Sequence, residues 1–178
     1  MPATLVHDEY AGGATPAESS LKYQLTMVAS SVIEAVSTSG GWMFDRVMAG
    51  WEVNVLLPKP DDVRPLSILG ARAFDLEAAL TEARATGYRP QALAVSAEMC
   101  ARDPRIGRQV STALRRGTEV TFWGAELPAG VGHRAVVAEH QLTAAAHVFK
   151  NHALASIAAP AAERTERFFV GGSGYSGL

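Results

Sequence analysis

Apolar residues recur at every third or fourth position near the start of the chain, which is the spacing of one face of an α-helix. The members of this stripe are Leu21, Leu25, Val28, Val32 and Val36. They predict a helix over 21–36, with Ser19 or Ser20 as its N-cap. The run of small polar residues and glycine at 37–41 predicts the end of this helix. A second, short helix is then predicted over 42–48.

The middle of the chain alternates between short apolar runs and amphipathic segments, as strands and helices do when they follow one another. Strands are predicted at 52–57, 66–69, 92–95 and 118–123, and helices at 76–85 and 104–116. Asp75 is a suitable cap for the first of these helices. Asp103 followed by Pro104 opens the second, because proline is tolerated in the first turn of a helix. Such alternation is typical of a parallel sheet covered by helices.

Beyond residue 130 the pattern is less regular. Residues 134–138 fit either a last strand or the start of a helix, and 142–155 fit a helix that ends before Pro160. The last residues, 170–178, are rich in glycine and serine, which predicts flexibility. The apolar residues 168–170 leave two alternatives open, docking onto the domain or an added edge strand.

These elements predict one α/β domain over 19–157, with a flexible arm at 1–18 and a C-terminal tail at 158–178. The expected architecture is a mostly parallel sheet of four to five strands with helices on both faces, in a Rossmann-like or flavodoxin-like arrangement. The link between the strands at 52–57 and 66–69 is short for a helical crossover. These two strands are therefore expected either to pair antiparallel or not to be neighbours.

Charge and cysteine content narrow the expected partners and location. The formal net charge is −2, which argues against nucleic acid and anionic membranes as partners. The sequence contains no apolar run of about 18 residues, as a membrane span requires, and its first residues do not resemble a secretory signal. Cys100 is the only cysteine. An internal disulfide is therefore excluded, and a cytoplasmic location is predicted.

Small and charged residues follow the predicted strands, at the edge where open α/β sheets bind ligands. The candidate ligand-binding residues are Arg72, Ser96, Glu98, Gly124 and Glu126. Small residues leave room for a ligand, and charged residues can orient it. The alternative interpretation is that strand ends meet water and carry charge for that reason alone. The sequence assigns no catalytic residue.

Specific catalytic and metal-binding patterns are missing. Neither a phosphate-binding loop ending in Gly-Lys-Ser/Thr nor a Gly-x-Ser-x-Gly elbow occurs. His140 and His147 are seven residues apart, about 10 Å along a helix, which is too far for one ion. We therefore predict no metal and no cofactor. Cys100 precedes a predicted helix and is interpreted as a partly buried, unreactive thiol rather than a nucleophile.

The densest basic region belongs to the predicted helix at 104–116. Its arginines are Arg105, Arg108, Arg115 and Arg116, with Arg102 just before it. Such a face can bind the phosphates of nucleic acid. The interleaved aromatic residues of many nucleic-acid binders are missing, however, which favours a solvated helix face.

The absence of catalytic patterns favours a non-enzymatic regulatory or protein-interaction domain, with a small ligand at the strand ends as a further possibility. An aromatic patch is interpreted as the contact for a homo-oligomer or a protein partner, with packing inside the domain as the alternative. Its residues are Trp42, Phe44 and Trp51. The rival hypothesis is a small-molecule enzyme, either a transferase or a hydrolase. Its pocket would be formed by Arg72, Glu98 and Glu126.

Overall fold

The structure is a computed structural model that describes residues 23–124, 127 and 135–171. In chain order its elements are β1 (Gln24–Val28), α1 (Val32–Met48), β2 (Glu52–Leu57), α2 (Arg64–Ile68), β3 (Arg72–Asp75), α3 (Leu76–Thr86), β4 (Ala92–Ser96), α4 (Ala97–Arg102), α5 (Pro104–Arg115), β5 (Glu119–Trp123), β6 (Val136–Gln141), α6 (Ala144–Ala155) and β7 (Thr165–Gly171).

The strands form one sheet in the order β3-β2-β1-β4-β5-β7-β6. β1 to β5 are parallel, whereas β7 is antiparallel to both β5 and β6. From β1 the chain builds outward to β3 on one side and then returns to build β4 and β5 on the other, which is the doubly wound order. The predicted α/β class with a mostly parallel sheet is confirmed. The expected four to five strands are too few, because the described residues contain seven.

Side chains of the central strands alternate between two cores, one on each side of the sheet. Leu25 and Met27 of β1 pack with α1, α2 and α6. Val28, on the opposite face, packs with α3, α4 and α5. The prediction of helices on both faces is therefore confirmed.

The helix predicted over 21–36 is wrong in its first half. Residues 24–28 form the central strand β1, and all five are buried. Leu25 and Val28 match the helical spacing because a strand buried on both faces is apolar on both, so that periodicity alone cannot assign it. The helix begins only after Ser31, whose hydroxyl accepts a hydrogen bond from the N–H of Glu34 at 3.1 Å.

The break predicted over 37–41 is also wrong, because α1 continues through it. Its two glycines permit close packing instead of ending the helix. A Cβ atom on Gly41 would lie 2.3 Å from Cδ2 of Leu142, and one on Gly40 would lie 3.3 Å from Cδ1 of Leu69. Only glycine lets the backbone of α1 approach these side chains so closely.

The strand predicted at 66–69 is a helical turn instead. Pro65 lies in the first turn of α2, and Leu66 and Leu69 are fully buried. A short apolar run can belong to a buried strand or to a buried helix, and periodicity does not distinguish them. β3 follows α2 and pairs in parallel with β2, so that Arg72 is the partner of Asn54. The sheet neighbour of β2 on this side is therefore β3. Because 66–69 is not a strand, the expected antiparallel pairing with 52–57 is wrong, and of the two alternatives only the absence of pairing holds.

Three of the predicted strands and three of the predicted helices are confirmed. They are the strands at 52–57, 92–95 and 118–123 and the helices at 76–85, 104–116 and 142–155, each within two residues at either end. The carboxylate of Asp75 accepts from the N–H of Ala78 at 2.8 Å, and α3 ends at Gly87, whose φ is +69°. Asp103 caps α5 ahead of Pro104, as predicted. These helices have unambiguous capping residues in the sequence.

The predicted tail over 158–178 requires correction, because residues 165–171 form β7. Of the two alternatives for 168–170 the strand is right, but it lies between β5 and β6 and not at the edge. Phe168 is fully buried, and its ring centroid is 5.1 Å from that of Trp42. This contact joins the last strand to the core beside α1.

The arm predicted at 1–18 and the residues after 171 lie outside the part of the chain that the structure describes. In the described ranges no helix has both the length and the apolar character needed to cross a membrane.

Candidate functional site at the carboxyl edge of the parallel strands

The carboxyl ends of β1 and β4 lie side by side at the centre of the sheet. The chain continues from β1 towards one edge of the sheet and from β4 towards the other. In doubly wound sheets, ligands bind where the strand order reverses in this way, between the loops that follow the two strands. The carboxylate of Glu34, in the first turn of α1, is bonded to residues at the ends of both strands.

Four donors bind the carboxylate of Glu34. The N–H and the hydroxyl of Ser30 both donate to Oε2 at 2.6 Å. The hydroxyl of Ser96 donates to Oε1 at 2.6 Å, and the indole N–H of Trp123 donates to the same oxygen at 3.0 Å. Residues at the ends of β1, β4 and β5 therefore converge on one carboxylate.

Local sequence explains why Glu34 lies there. Ser31 caps α1 and Glu34 is the third residue of the helix, which is the Ser-x-x-Glu pattern of a capping box. In the usual box the glutamate bonds the N–H of the capping residue. Here it bonds the N–H of Ser30, one residue earlier. The N-terminal end of the helix dipole also favours a negative charge at this position.

The four side chains differ in their access to solvent. Ser96 is 0% exposed and Trp123 is buried as well, so both can position the carboxylate but cannot contact a substrate. Ser30 and Glu34 are half-buried. A carboxylate held by fixed donors at the end of a parallel sheet can take a proton from water or from a hydroxyl group. The chemistry available at this site is therefore that of a general base.

The structure brings three of the predicted ligand-binding residues to this edge. Ser96 is the last residue of β4 and bonds Glu34 directly. Glu98 lies in the first turn of α4, is exposed and pairs with Arg102 at 2.9 Å. Gly124 follows β5 with φ +119°, and a Cβ on it would lie 3.2 Å from that of Ala97.

The other two predicted residues do not join them. Arg72 was expected after a strand, but it is the first residue of β3, because the segment before it is helical. It therefore lies at the amino ends of the parallel strands, opposite the carboxyl edge. There its guanidinium pairs with Glu52, the first residue of β2. Glu126 lies outside the described residues. The predicted grouping of Arg72 with Glu98 is therefore wrong.

Sequence reasoning missed Glu34, Ser30 and Trp123. The signal for Glu34 was present, since a serine followed three residues later by glutamate marks a helix start. It was hidden because a helix was already assigned across 21–36. The contact of Trp123 with Glu34 joins residues 89 positions apart, and no local pattern can predict it.

Histidine and cysteine residues offer little further chemistry. Among the described residues, no group of three or more His, Cys, Asp or Glu side chains could hold a metal ion. His140 is in β6 and bonds Asp45 at 2.8 Å, whereas His147 is in α6. Burial raises the pKa of the Cys100 thiol to about 11. This is consistent with the interpretation of Cys100 as an unreactive thiol.

The basic helix predicted at 104–116 is partly neutralised by ion pairs. Arg105 pairs with Glu77 and with Asp103, each at 2.6 Å. Hydrogen bonds from Arg105 hold the pKa of both carboxyl groups below their usual values. A guanidinium engaged by two carboxylates is a poor candidate for binding the phosphates of nucleic acid.

Most of the aromatic patch lies inside the domain. Trp42 and Phe44 are buried, and Phe44 stacks on Phe149 with ring centroids 4.6 Å apart. Arg46 lies over the rings of Trp42 and Trp51. A partner could contact only the half-buried Trp51 without rearrangement. The predicted homo-oligomer or protein partner stays a prediction.

No protein-family model matches the chain, and no curated protein matches its sequence. Solved structures of deacetylases resemble it in fold. A triple mutant of the deacetylase of the teicoplanin biosynthetic pathway has a TM-score of 0.58 at 13% identity, covering 87% of this chain and 100% of its own. The A40926 pseudoaglycone deacetylase Dbv21 has a TM-score of 0.55 at 15% identity, covering 87% and 99%. The zinc inhibited form of teicoplanin deacetylase Orf2 has a TM-score of 0.55 at 11% identity, covering 86% and 100%.

At these sequence identities the likeness shows a shared fold and no more. It nevertheless corrects the first functional hypothesis, since the solved structures that resemble the chain include deacetylases. The hypothesis of a non-enzymatic regulatory or interaction domain is contradicted. The alternative, a small-molecule enzyme that is either a transferase or a hydrolase, agrees better with these neighbours, because deacetylation is a hydrolysis.

Proposed function

We propose that this protein is a hydrolase that removes an acyl group from nitrogen in a small molecule, and that its site lies at the carboxyl ends of β1, β4 and β5. The observation that carries the proposal is the carboxylate of Glu34, which is half-buried and bonded by donors from all three strand ends. The reaction class rests on the likeness in fold to deacetylases.

In this proposal Glu34 acts first as a base and then as an acid. It accepts a proton from a water molecule whose oxygen attacks the acyl carbon. It then returns that proton to the nitrogen as the carbon–nitrogen bond breaks, which releases an amine and a carboxylic acid. The hydroxyl of Ser30 rotates about its Cβ–Oγ bond. It can therefore leave Oε2 and free an acceptor position for the water.

Ser96 and Trp123 act as positioning residues, because each donates to Glu34 from a buried position. Glu98 and Gly124 border the site, and we propose that a substrate passes between them. Gly124 itself packs closely on Ala97, since a Cβ there would lie 3.2 Å from that of Ala97. Arg72 has no part in this site.

Exchange of Glu34 tests the proposal. The purified protein is incubated with a panel of N-acetylated sugars and amino acids, and the released amine is measured. Glu34→Gln keeps the shape of the side chain but cannot accept the proton, so release should fall by about 10²–10⁴-fold. Glu163→Gln changes an exposed residue that follows α6 in the sequence. This variant is the control and should release amine at the wild-type rate. Amine release by Glu34→Gln at the wild-type rate, or no release by the wild type on any member of the panel, would overturn the proposal.

The proposal includes a cytoplasmic location and action on a free small molecule, without nucleic acid or membrane. Its support is the single cysteine and the small negative net charge. Separation of cells into cytosol, membrane and secreted fractions, followed by detection of the protein, tests this part.

A further inference from the structure

A cavity lies between α3, α5 and the sheet. Its volume is about 110 Å³. Leu56, Leu93 and Val95 of the sheet form its floor, and Leu80 and Val110 of the two helices close it. All five side chains are apolar, so the cavity favours an apolar occupant. An engineered apolar cavity of roughly 150 Å³ binds benzene. The group that enters here is therefore about the size of one small ring.

Most of the cavity wall is apolar, but its polar residues include one fully buried amide side chain. Asn54, in the middle of β2, lines the cavity and is 0% exposed. Neither Nδ2 nor Oδ1 has a hydrogen-bond partner among the described residues. Buried amide groups nearly always have partners, and an unpaired one is destabilising. The side chain offers both donors and an acceptor, which suit a hydroxyl or carbonyl group on a ligand.

The rim of the cavity is mostly basic, since the charged residues that line it are Arg89, Arg116 and one carboxylate, that of Glu82. A second depression of about 250 Å³ shares Leu80, Arg89, Gln109 and Thr112 with the cavity wall. Three more arginines line it, namely Arg84, Arg105 and Arg108. Arg105 is engaged by Glu77 and Asp103. Within the described ranges, no carboxylate lies within 4.0 Å of Arg84, Arg89 or Arg108. Arg89 donates to the carbonyl oxygen of Tyr88 at 2.8 Å, and its other N–H groups, with those of Arg84 and Arg108, remain for an anion.

From these features we infer that the cavity binds a small organic anion. Its carboxylate pairs with the arginines at the rim, its ring or short chain fills the apolar space, and a hydroxyl or carbonyl at its far end bonds Asn54. Tyr88 and Thr118 of the cavity wall precede β4 and β5, and neither Glu34 nor any residue bonded to its carboxylate lines the cavity. This site is therefore separate from Glu34, and it does not depend on the proposed hydrolase activity.

Three ligands of similar size separate the contributions of the carboxylate and of the hydroxyl to binding. We propose isothermal titration calorimetry of the whole protein with 4-hydroxyphenylacetate, phenylacetate and tyramine. Phenylacetate lacks the hydroxyl, and tyramine carries a positive charge instead of the carboxylate. 4-Hydroxyphenylacetate should bind about threefold or more tighter than phenylacetate, because the hydroxyl pairs with Asn54. It should bind about tenfold or more tighter than tyramine, because the rim repels a cation.

Variants assign these differences to residues. Asn54→Leu should remove the preference for the hydroxyl and raise the melting temperature of the empty protein, because an unpaired amide is replaced by an apolar group of similar size. Arg84→Gln combined with Arg108→Gln should weaken the binding of both carboxylate ligands about tenfold or more. Arg164→Gln changes an exposed arginine after α6 that lines neither depression, and it is the matched control. It should leave the binding of all three ligands unchanged.

A further variant guards against poor folding of Asn54→Leu. Ala113→Leu adds three carbon atoms to a residue of the cavity wall and should abolish binding of both carboxylates. The inference fails if neither carboxylate binds the wild type, or if tyramine binds as tightly as 4-hydroxyphenylacetate. It also fails if Asn54→Leu or Ala113→Leu binds both carboxylates as the wild type does. Failure of hydrolysis at Glu34 would leave these binding results unchanged.

Discussion

The ammonium group of Lys150 lies 2.6 Å from the carboxylate of Glu166 in the interior of the protein, where the two side chains are 3% and 2% exposed. Both are also bonded to the backbone of α1. Lys150 donates to the carbonyl oxygen of Ser37 at 2.7 Å, and Glu166 accepts from the N–H groups of Gly41 and Trp42 at 2.8 Å each. In a regular helix Ser37 and Gly41 would bond each other. The ion pair thus connects α6, β7 and the middle of α1.

Loss of one partner of this pair should be strongly destabilising. Glu166→Gln leaves the charge of Lys150 buried without a carboxylate, which typically costs about 3–5 kcal/mol. Urea unfolding measures the change in the free energy of unfolding. Glu98→Gln breaks an exposed pair with Arg102 and should change it by less than about 1 kcal/mol. Equal effects of the two variants would show that the buried pair has no special role.

The glycines of α1 should respond differently from a glycine in α5. Gly41→Ala places a methyl group 2.3 Å from Leu142, and such overpacking typically costs about 1–3 kcal/mol. Gly107→Ala in α5 has no contact closer than 3.8 Å and should stabilise the protein by about 0.5–1 kcal/mol, since alanine favours the helix. Thermal unfolding of both variants measures the contrast. If Gly41→Ala is neutral, the close approach of Leu142 is not required.

The parts of the fold that the sequence predicted are those with local signals. Asp75, Asp103 and Gly87 mark helix ends by their chemistry, and the strand at 92–95 is short and wholly apolar, as buried parallel strands are. The errors occurred where burial hid the period, as in β1, or where glycine had a packing role, as in α1. The place of Gly41 depends on Leu142, about one hundred positions later, and no local rule contains that information.

The candidate site shows the same division. The position of Ser96 at the end of a strand followed from the local pattern, and the structure confirms that placement. Its contact with Glu34 depends on the strand order, which a single sequence does not specify. The error at Arg72 followed from an error in secondary structure, since a segment read as a strand was helical. The buried pair of Lys150 and Glu166 also depends on tertiary packing alone.

Removal of one buried donor should reduce catalysis by Glu34 without removing it. Ser96→Ala deletes the hydroxyl that donates to Oε1, while the indole of Trp123 still donates to the same oxygen. We expect kcat to fall by roughly tenfold, less than the ~10²–10³ seen when a donor to the reacting oxygen is lost. KM should stay within about twofold, because Ser96 is buried and contacts no substrate.

Steady-state kinetics of amine release measures both constants for Ser96→Ala. The double variant Ser96→Ala with Trp123→Phe removes both donors to Oε1 and should approach the rate of Glu34→Gln. A purely structural role would instead lower the melting temperature of these variants and leave kcat per folded molecule unchanged.

Cys100 should make the stability of the protein fall at high pH. Burial raises the pKa of its thiol from 9.0 to about 11, so between these values the folded state keeps a proton that the unfolded state loses. The contribution is therefore complete below about pH 9 and lost as the pH rises through 11. Urea unfolding from pH 8 to 11 should show a steeper decline for the wild type than for Cys100→Ala. Alkylation by iodoacetamide at pH 8 should also be far slower for the folded protein than in urea, because the thiolate is the reactive form. Equal slopes with equal alkylation rates would mean that the thiol is exposed and its pKa ordinary.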